Sequence, residues 1–208
     1  VITEAYLDTA AVVSPLLRSP ELAAGWSSPS ALADFRISGL AGHLARAVFN
    51  VERYLDTPMP AEVTDVDAVG YYVQQVDEGP DDPVRLSIRE RGEQDAVGGA
   101  GDLADRYDAA RARLATRLSA LPDEHPVVAF GRFRLRLDQC LITRLVELAV
   151  HLDDLAVSLG VPTPAIPDPA AELVVTTLAR VAAGRHGTLA LIRALSRRER
   201  APEVIAAF

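Results

Sequence analysis

Apolar residues recur at helical spacing through most of the chain. Ile2, Tyr6, Leu7, Ala10, Val13 and Leu17 predict a helix over residues 3–18. A loop follows, with Pro20, Gly25, Pro29 and three serines as turn formers and Trp26 as its core anchor. Leu40, Leu44, Ala47, Val48, Val51 and Leu55 predict a second helix from Ile37 to Asp56, stopped by Pro58 and Pro60. A short helix is expected from Val66 to Val76, ended by Gly79-Pro80. The run Asp81-Asp82-Pro83 then reads as another helix start, with acids at the positive end, and that segment closes at Gly98-Gly99. Leu103, Tyr107, Ala110, Leu114 and Leu118 carry a third long helix over 102–121. From Val127 to Leu137 the period changes to two, which predicts an extended or hairpin-like segment. The fourth long helix runs from Asp138 to Leu159, with Gly160 as its left-handed cap and Pro162 beyond. Two further helices are expected, over 170–183 and 188–198.

These elements predict an all-α protein: a four-helix bundle over residues 1–160, and over 161–208 a proline-rich linker with a short helical C-terminal extension. The 208 residues suffice for a sizeable core without staples. Aromatic content of 5% and an abundance of Leu, Ala and Val suit packed helices. The net charge of -8 argues against nucleic acid and anionic membrane as partners. All 21 basic residues are arginine, which reads as codon bias toward GC-rich DNA. The single cysteine, Cys140, allows no internal disulfide and is expected as a small core residue. With no leader or bilayer-length apolar run visible, a cytoplasmic location is expected.

The fourth helix carries the chemistry. At 100° per residue, Cys140, Arg144, Glu147, His151 and Asp154 fall within about 80° of arc. Two readings are open: a solvent-facing stripe, or an internal one, since apolar residues cover most of the remaining circumference. An internal Glu and His need a compensating cation or hydrogen-bond donors. Glu147 and His151, four apart, are adjacent on one helix face and suit a metal. Of the other histidines, His125 and His186 sit in turn-like surroundings. His43 lies mid-helix, where it is either a hydrogen-bonded core residue or a third ligand. Two histidines and a carboxylate would suit zinc or another first-row divalent ion with an open position. Asp154, or Asp153, would either orient an imidazole or form a surface ion pair. Arg144 would either hold an anionic substrate or neutralise Glu147, and both Arg144 and Asp154 are the candidate catalytic residues. Arg85 and Arg89 either reach the cavity mouth or are solvated.

The phrase RLVELAVHLDDLAVSLG (Arg144–Gly160), with the run from Trp26 through Pro29-Ser30 to GLAGHLARA (Gly39–Ala47), resembles the mycothiol-dependent maleylpyruvate isomerase N-terminal family. That family belongs to the DinB/YfiT-like superfamily of metal-binding four-helix bundles. The resemblance covers about residues 3–160, and Arg185–Arg200 is similar to a tail of short actinobacterial members. It implies a DinB/YfiT-like bundle with a metal, typically zinc, held by His43, Glu147 and His151. It also implies a small-molecule thiol such as mycothiol as cosubstrate and a small electrophile as substrate, hence a thiol-dependent transferase or isomerase. An external thiol makes Cys140 unnecessary as a nucleophile. The isomerase itself carries a larger C-terminal domain, and the 48 residues after Gly160 put its particular reaction in question. The alternative function is a non-catalytic metal- or ligand-binding bundle with a regulatory role. A monomer or homodimer is expected.

Overall fold

A computed structural model describes residues 1–75 and 83–207, leaving aside the side chains of 84 and 85. The expectations for Gly79-Pro80, Asp81-Asp82 and the Arg85 side chain lie outside the described residues. The protein is mostly helical. In chain order its elements are α1 (Ile2–Leu17), α2 (Pro20–Gly25), α3 (Ile37–Asp56), β1 (Thr64–Asp65), α4 (Ala68–Val73), α5 (Pro83–Asp95), α6 (Gly99–Leu118), β2 (Pro126–Ala129), β3 (Phe133–Arg136), α7 (Leu137–Leu159), α8 (Asp168–His186) and α9 (Thr188–Ser196), followed by one 3-10 turn.

Four helices, α1, α3, α6 and α7, form the bundle, and α8 packs outside it. α1 and α3 each pack against both α6 and α7, so α1 lies diagonally across from α3 and α6 across from α7. Tyr6, Val13 and Leu17 of α1, Leu40, Leu44 and Val48 of α3, Leu103, Tyr107 and Leu114 of α6, and Leu141, Leu145, Leu148 and Leu152 of α7 are all buried in one core. Two tyrosine hydroxyls in it are satisfied across helices: Tyr6 donates to the Ala47 carbonyl and Tyr107 to that of Ala10. Such a partner offsets the cost of burying a phenol.

Several elements differ from the sequence expectation; among them, α4 is shorter than Val66–Val76, α6 stops at Leu118 and α9 at Ser196. The predicted loop after α1 contains α2, because Ser19 caps Leu22 N–H and Pro20 opens the helix. α6 begins three residues early, directly from left-handed Gly99. α8 starts at Asp168, with Pro169 in its first turn, and continues to His186. β1 had no counterpart: it pairs in parallel with β3 on the open side of the expected β2–β3 hairpin, giving the order β1-β3-β2. The hairpin turn places both Phe130 and Gly131 at positive φ. Gly160 ends α7 in the left-handed conformation, as its position predicted.

Two helices flank the bundle near the site. α5 is polar, yet it lies close against α3. A Cβ on Gly42 would overlap the Gly92 carbonyl oxygen, and one on Gly92 would crowd that of Gly39. Two glycines, Gly42 and Gly92, therefore let the two backbones approach, and ion pairs Arg46–Asp95 (2.6 Å) and Arg53–Asp95 (3.3 Å) hold them. On the other side α8 packs on α7, α1 and the short α4.

Candidate metal centre

α7 is buried almost all round. Of its 23 residues only Asp153 and Val157 are exposed. The polar stripe is the internal one: Cys140 and Arg144 are buried, and Glu147, His151 and Asp154 are half-buried along the same face. Helical spacing sets Glu147 and His151 side by side, and the α3–α7 packing brings His43 against them.

Nε2 of His43 lies 3.0 Å from Nε2 of His151. Oε2 of Glu147 is 3.7 Å from the former and 3.4 Å from the latter. The three side chains are 15%, 16% and 19% exposed in the order His43, His151, Glu147, so the cluster is sheltered but not sealed from solvent. Asp154 Oδ2 sits 2.9 Å from His151 Nδ1, which places that ring's proton on Nδ1 and turns Nε2 toward the cluster. Asp153 is turned away, accepting from the Thr163 hydroxyl. His43 Nδ1 is buried without a hydrogen-bond partner, and its ring rests against Phe35, 5.8 Å between centroids.

Electrostatics divide the two histidines. Burial and the neighbouring His151 push His43 down to about 3, so it is neutral. Burial also works against the charged form of His151, but hydrogen bonds to Asp154 and Glu147 outweigh it and raise His151 to about 9. Burial opposes ionisation of Glu147 as well. The His151 hydrogen bond and the charge of Arg144 prevail, holding that carboxyl well below its ordinary value. In the metal-free protein one proton therefore sits where a cation would bind, on an imidazolium shared with Glu147 and Asp154.

The donor set fits a divalent ion. Bonds of about 2.0–2.1 Å in tetrahedral geometry place neighbouring ligand atoms about 3.3 Å apart. The observed edges of 3.0, 3.4 and 3.7 Å bracket that value. Among the described residues, the group of acidic, histidine and cysteine side chains close enough to hold an ion is His43, Glu147 and His151. Three protein ligands leave a position for water or substrate.

The remaining expectations divide. Cys140 is buried, its thiol pushed up to about 11 by desolvation, and it is no nucleophile. Arg144 makes no ion pair with Glu147. Its Nε donates to Thr143 Oγ1 (3.1 Å) and its Nη2 to the Tyr71 hydroxyl (2.9 Å), and the guanidinium lies over the Tyr71 and Tyr54 rings. Its charge reaches Glu147 through space. Arg89 pairs with Asp34 at 2.9 Å, one residue before Phe35. His125 is half-buried in its turn, and exposed His186 bonds the Ala206 carbonyl through Nε2. Trp26 is half-buried against the core. One residue escaped the sequence reading: the Tyr72 hydroxyl donates to Glu147 Oε1 at 2.9 Å, with the Thr143 carbonyl equally near.

Fold and site together define a four-helix bundle with an inward-facing His–Glu–His cluster between its second and fourth long helices. The chain belongs to the mycothiol maleylpyruvate isomerase N-terminal domain family, whose model matches residues 8–156. That membership implies a mycothiol-related isomerase- or transferase-like function with a small-molecule thiol. No curated protein and no solved structure matches the chain. No helix among the described residues is long and apolar enough to cross a membrane.

Proposed function

We propose that His43, Glu147 and His151 hold a divalent metal ion, zinc, and that the protein is a thiol-dependent transferase or isomerase acting on a small electrophile. The observation that carries the reading is the convergence of three ligand atoms on one half-sheltered point, with Asp154 already orienting His151. Two imidazoles and a carboxylate are the donor types zinc accepts, and they leave a net positive centre. When bound, such an ion lowers the pKa of a coordinating thiol, so that mycothiol or a related thiol would be a thiolate at neutral pH.

The chain's own groups prepare that chemistry. Asp154 holds a proton on His151 Nδ1, so Nε2 is the ring atom a metal would take once its own proton is released. Burial keeps His43 neutral and able to donate its lone pair. The charge of Arg144 helps keep Glu147 ionised. Phe35 and the walls of the bundle shelter the cluster from water.

Metal analysis of untagged protein tests the first half: near-equimolar metal in the wild type, lost in His151→Ala, is expected. Unchanged, sub-stoichiometric metal in both would overturn the site. Thiol-dependent turnover of maleylpyruvate and similar electrophiles with mycothiol tests the second half. Stoichiometric metal without any turnover would make the protein a non-catalytic binding bundle instead.

A further inference from the structure

Glu147 is the ligand whose placement is least constrained by its own helix, since a glutamate has three free side-chain torsions. Only one of its oxygens, Oε2, faces the two histidines. The other, Oε1, accepts from the Tyr72 hydroxyl at 2.9 Å. Tyr72 is buried, so its hydroxyl reaches the carboxylate from within the core.

Tyr72 belongs to α4, a helix of six residues, too short to hold itself. α8 holds it. Arg185 Nη2 donates to the carbonyls of Tyr72 (3.0 Å) and Gln75 (3.2 Å), which lie where a helix end attracts a cation. Gly184 admits Val73: a Cβ there would come within 2.9 Å of the valine Cγ2. Arg180 stands 3.8 Å from Asp67, the residue that caps the other end of α4. α8 lies wholly beyond residues 8–156, the stretch matched by the family model.

We propose that Tyr72 is a positioning residue for Glu147, and that α8, through Arg185, holds Tyr72 in place, so that the C-terminal segment is part of the metal centre. The proposal rests on the metal reading above. The chain of contacts runs from Arg185 to the α4 backbone, from Tyr72 to Oε1, and from Oε2 to the point shared with His43 and His151. Removing the hydroxyl frees the carboxylate to rotate, while the ring continues to fill its place.

The test is metal affinity by chelator competition, for zinc and for cobalt(II), whose visible spectrum reports ligand geometry. Full-length wild type, Tyr72→Phe, Arg185→Gln and the double variant are compared, with Tyr107→Phe as a control because that buried hydroxyl donates to the Ala10 carbonyl, apart from the cluster. Losing a partner of a metal ligand typically costs about 10–100-fold in affinity. Tyr72→Phe is expected to lose about tenfold and to change the cobalt spectrum, with Tyr107→Phe close to wild type. Arg185→Gln is expected to weaken binding in the wild-type background but to add nothing in Tyr72→Phe, because both act along one path. Wild-type affinity and spectrum in Tyr72→Phe would overturn the positioning role. An equal loss from Arg185→Gln in both backgrounds would overturn the link through α8. Should the wild type bind no metal, the proposed function fails. Crystal structures of metal-free wild type and Tyr72→Phe then decide the positioning role on their own: a carboxylate turned away from His43 and His151 supports it, and an unmoved one overturns it.

Discussion

Burial alone would keep His151 neutral, and the acids on either side of it reverse that, so the charge state of the site turns on this residue. Its value in the folded chain, about 9, lies above the roughly 6.5 of an unfolded histidine. The imidazolium therefore stabilises the metal-free fold fully below the unfolded value, and that contribution disappears as the pH rises through about 9. Chelated wild type should lose thermal stability between these values, and His151→Ala should not show this loss; parallel melting curves for the two across that interval would contradict the charge assignment. The same proton competes with a metal. Binding must release it, so affinity should climb by about tenfold per pH unit and level off near 9. Proton uptake or release measured by calorimetry in buffers of different ionisation enthalpy checks the sign. Asp154 is the other residue with a defined expectation. Asp154→Asn keeps the size but weakens the hold on His151 Nδ1, and should lower affinity by about 10–100-fold without loss of fold.

Helices α3 and α7 carry the three candidate ligands, and the tight seating of α5 on α3 locks one of these helices. Gly42→Ala places a methyl group into the Gly92 backbone, which cannot swing aside, and should cost about 1–3 kcal/mol in denaturant unfolding. Gly39→Ala meets only the flexible Glu93 carboxylate, 2.6 Å away, and should cost less. Equal losses would mean that the helices separate easily. At this scale the sequence was informative where its signal is local. The period of α3 and α7, the Gly160 cap and the alternation of the hairpin are each written within a few residues. The i, i+4 spacing of Glu147 and His151 and the i+3 offset of Asp154 belong to the same kind of signal. α2 was legible but passed over: Ser19, Pro20 and Glu21 are its start. β1 was not legible, since Thr64 and Asp65 are both exposed and become a strand only by pairing with β3, some seventy residues on. Tyr72 was hidden for the same reason. Its partner is 75 residues away, and nothing within α4 distinguishes it from Tyr71.

The extent of the core predicts that the molecule folds without an ion. Its core joins all four long helices and part of the hairpin through buried Leu, Val, Ala and Tyr, independently of the site, and its ion pairs lie mostly at the surface, where each adds little. A protein whose fold came from its metal would unfold on chelation, as small zinc domains do. Here the cluster bridges α3 and α7, two helices already packed together, so a bound cation adds its binding energy to a fold that exists without it. An excess of free ion at about 100 times its dissociation constant adds about 2.7 kcal/mol. For a chain of this size that corresponds to a rise of about 5–11 °C in Tm. Chelation should therefore lower Tm by that amount and leave the far-ultraviolet helical signal at room temperature unchanged. The increment should vanish in Glu147→Gln, whose amide is a poor metal ligand. A chelated protein that loses its helical signal would show that the buried core is insufficient. A Tm unmoved by metal in the wild type would show that the three ligand atoms, close as they are, hold no cation.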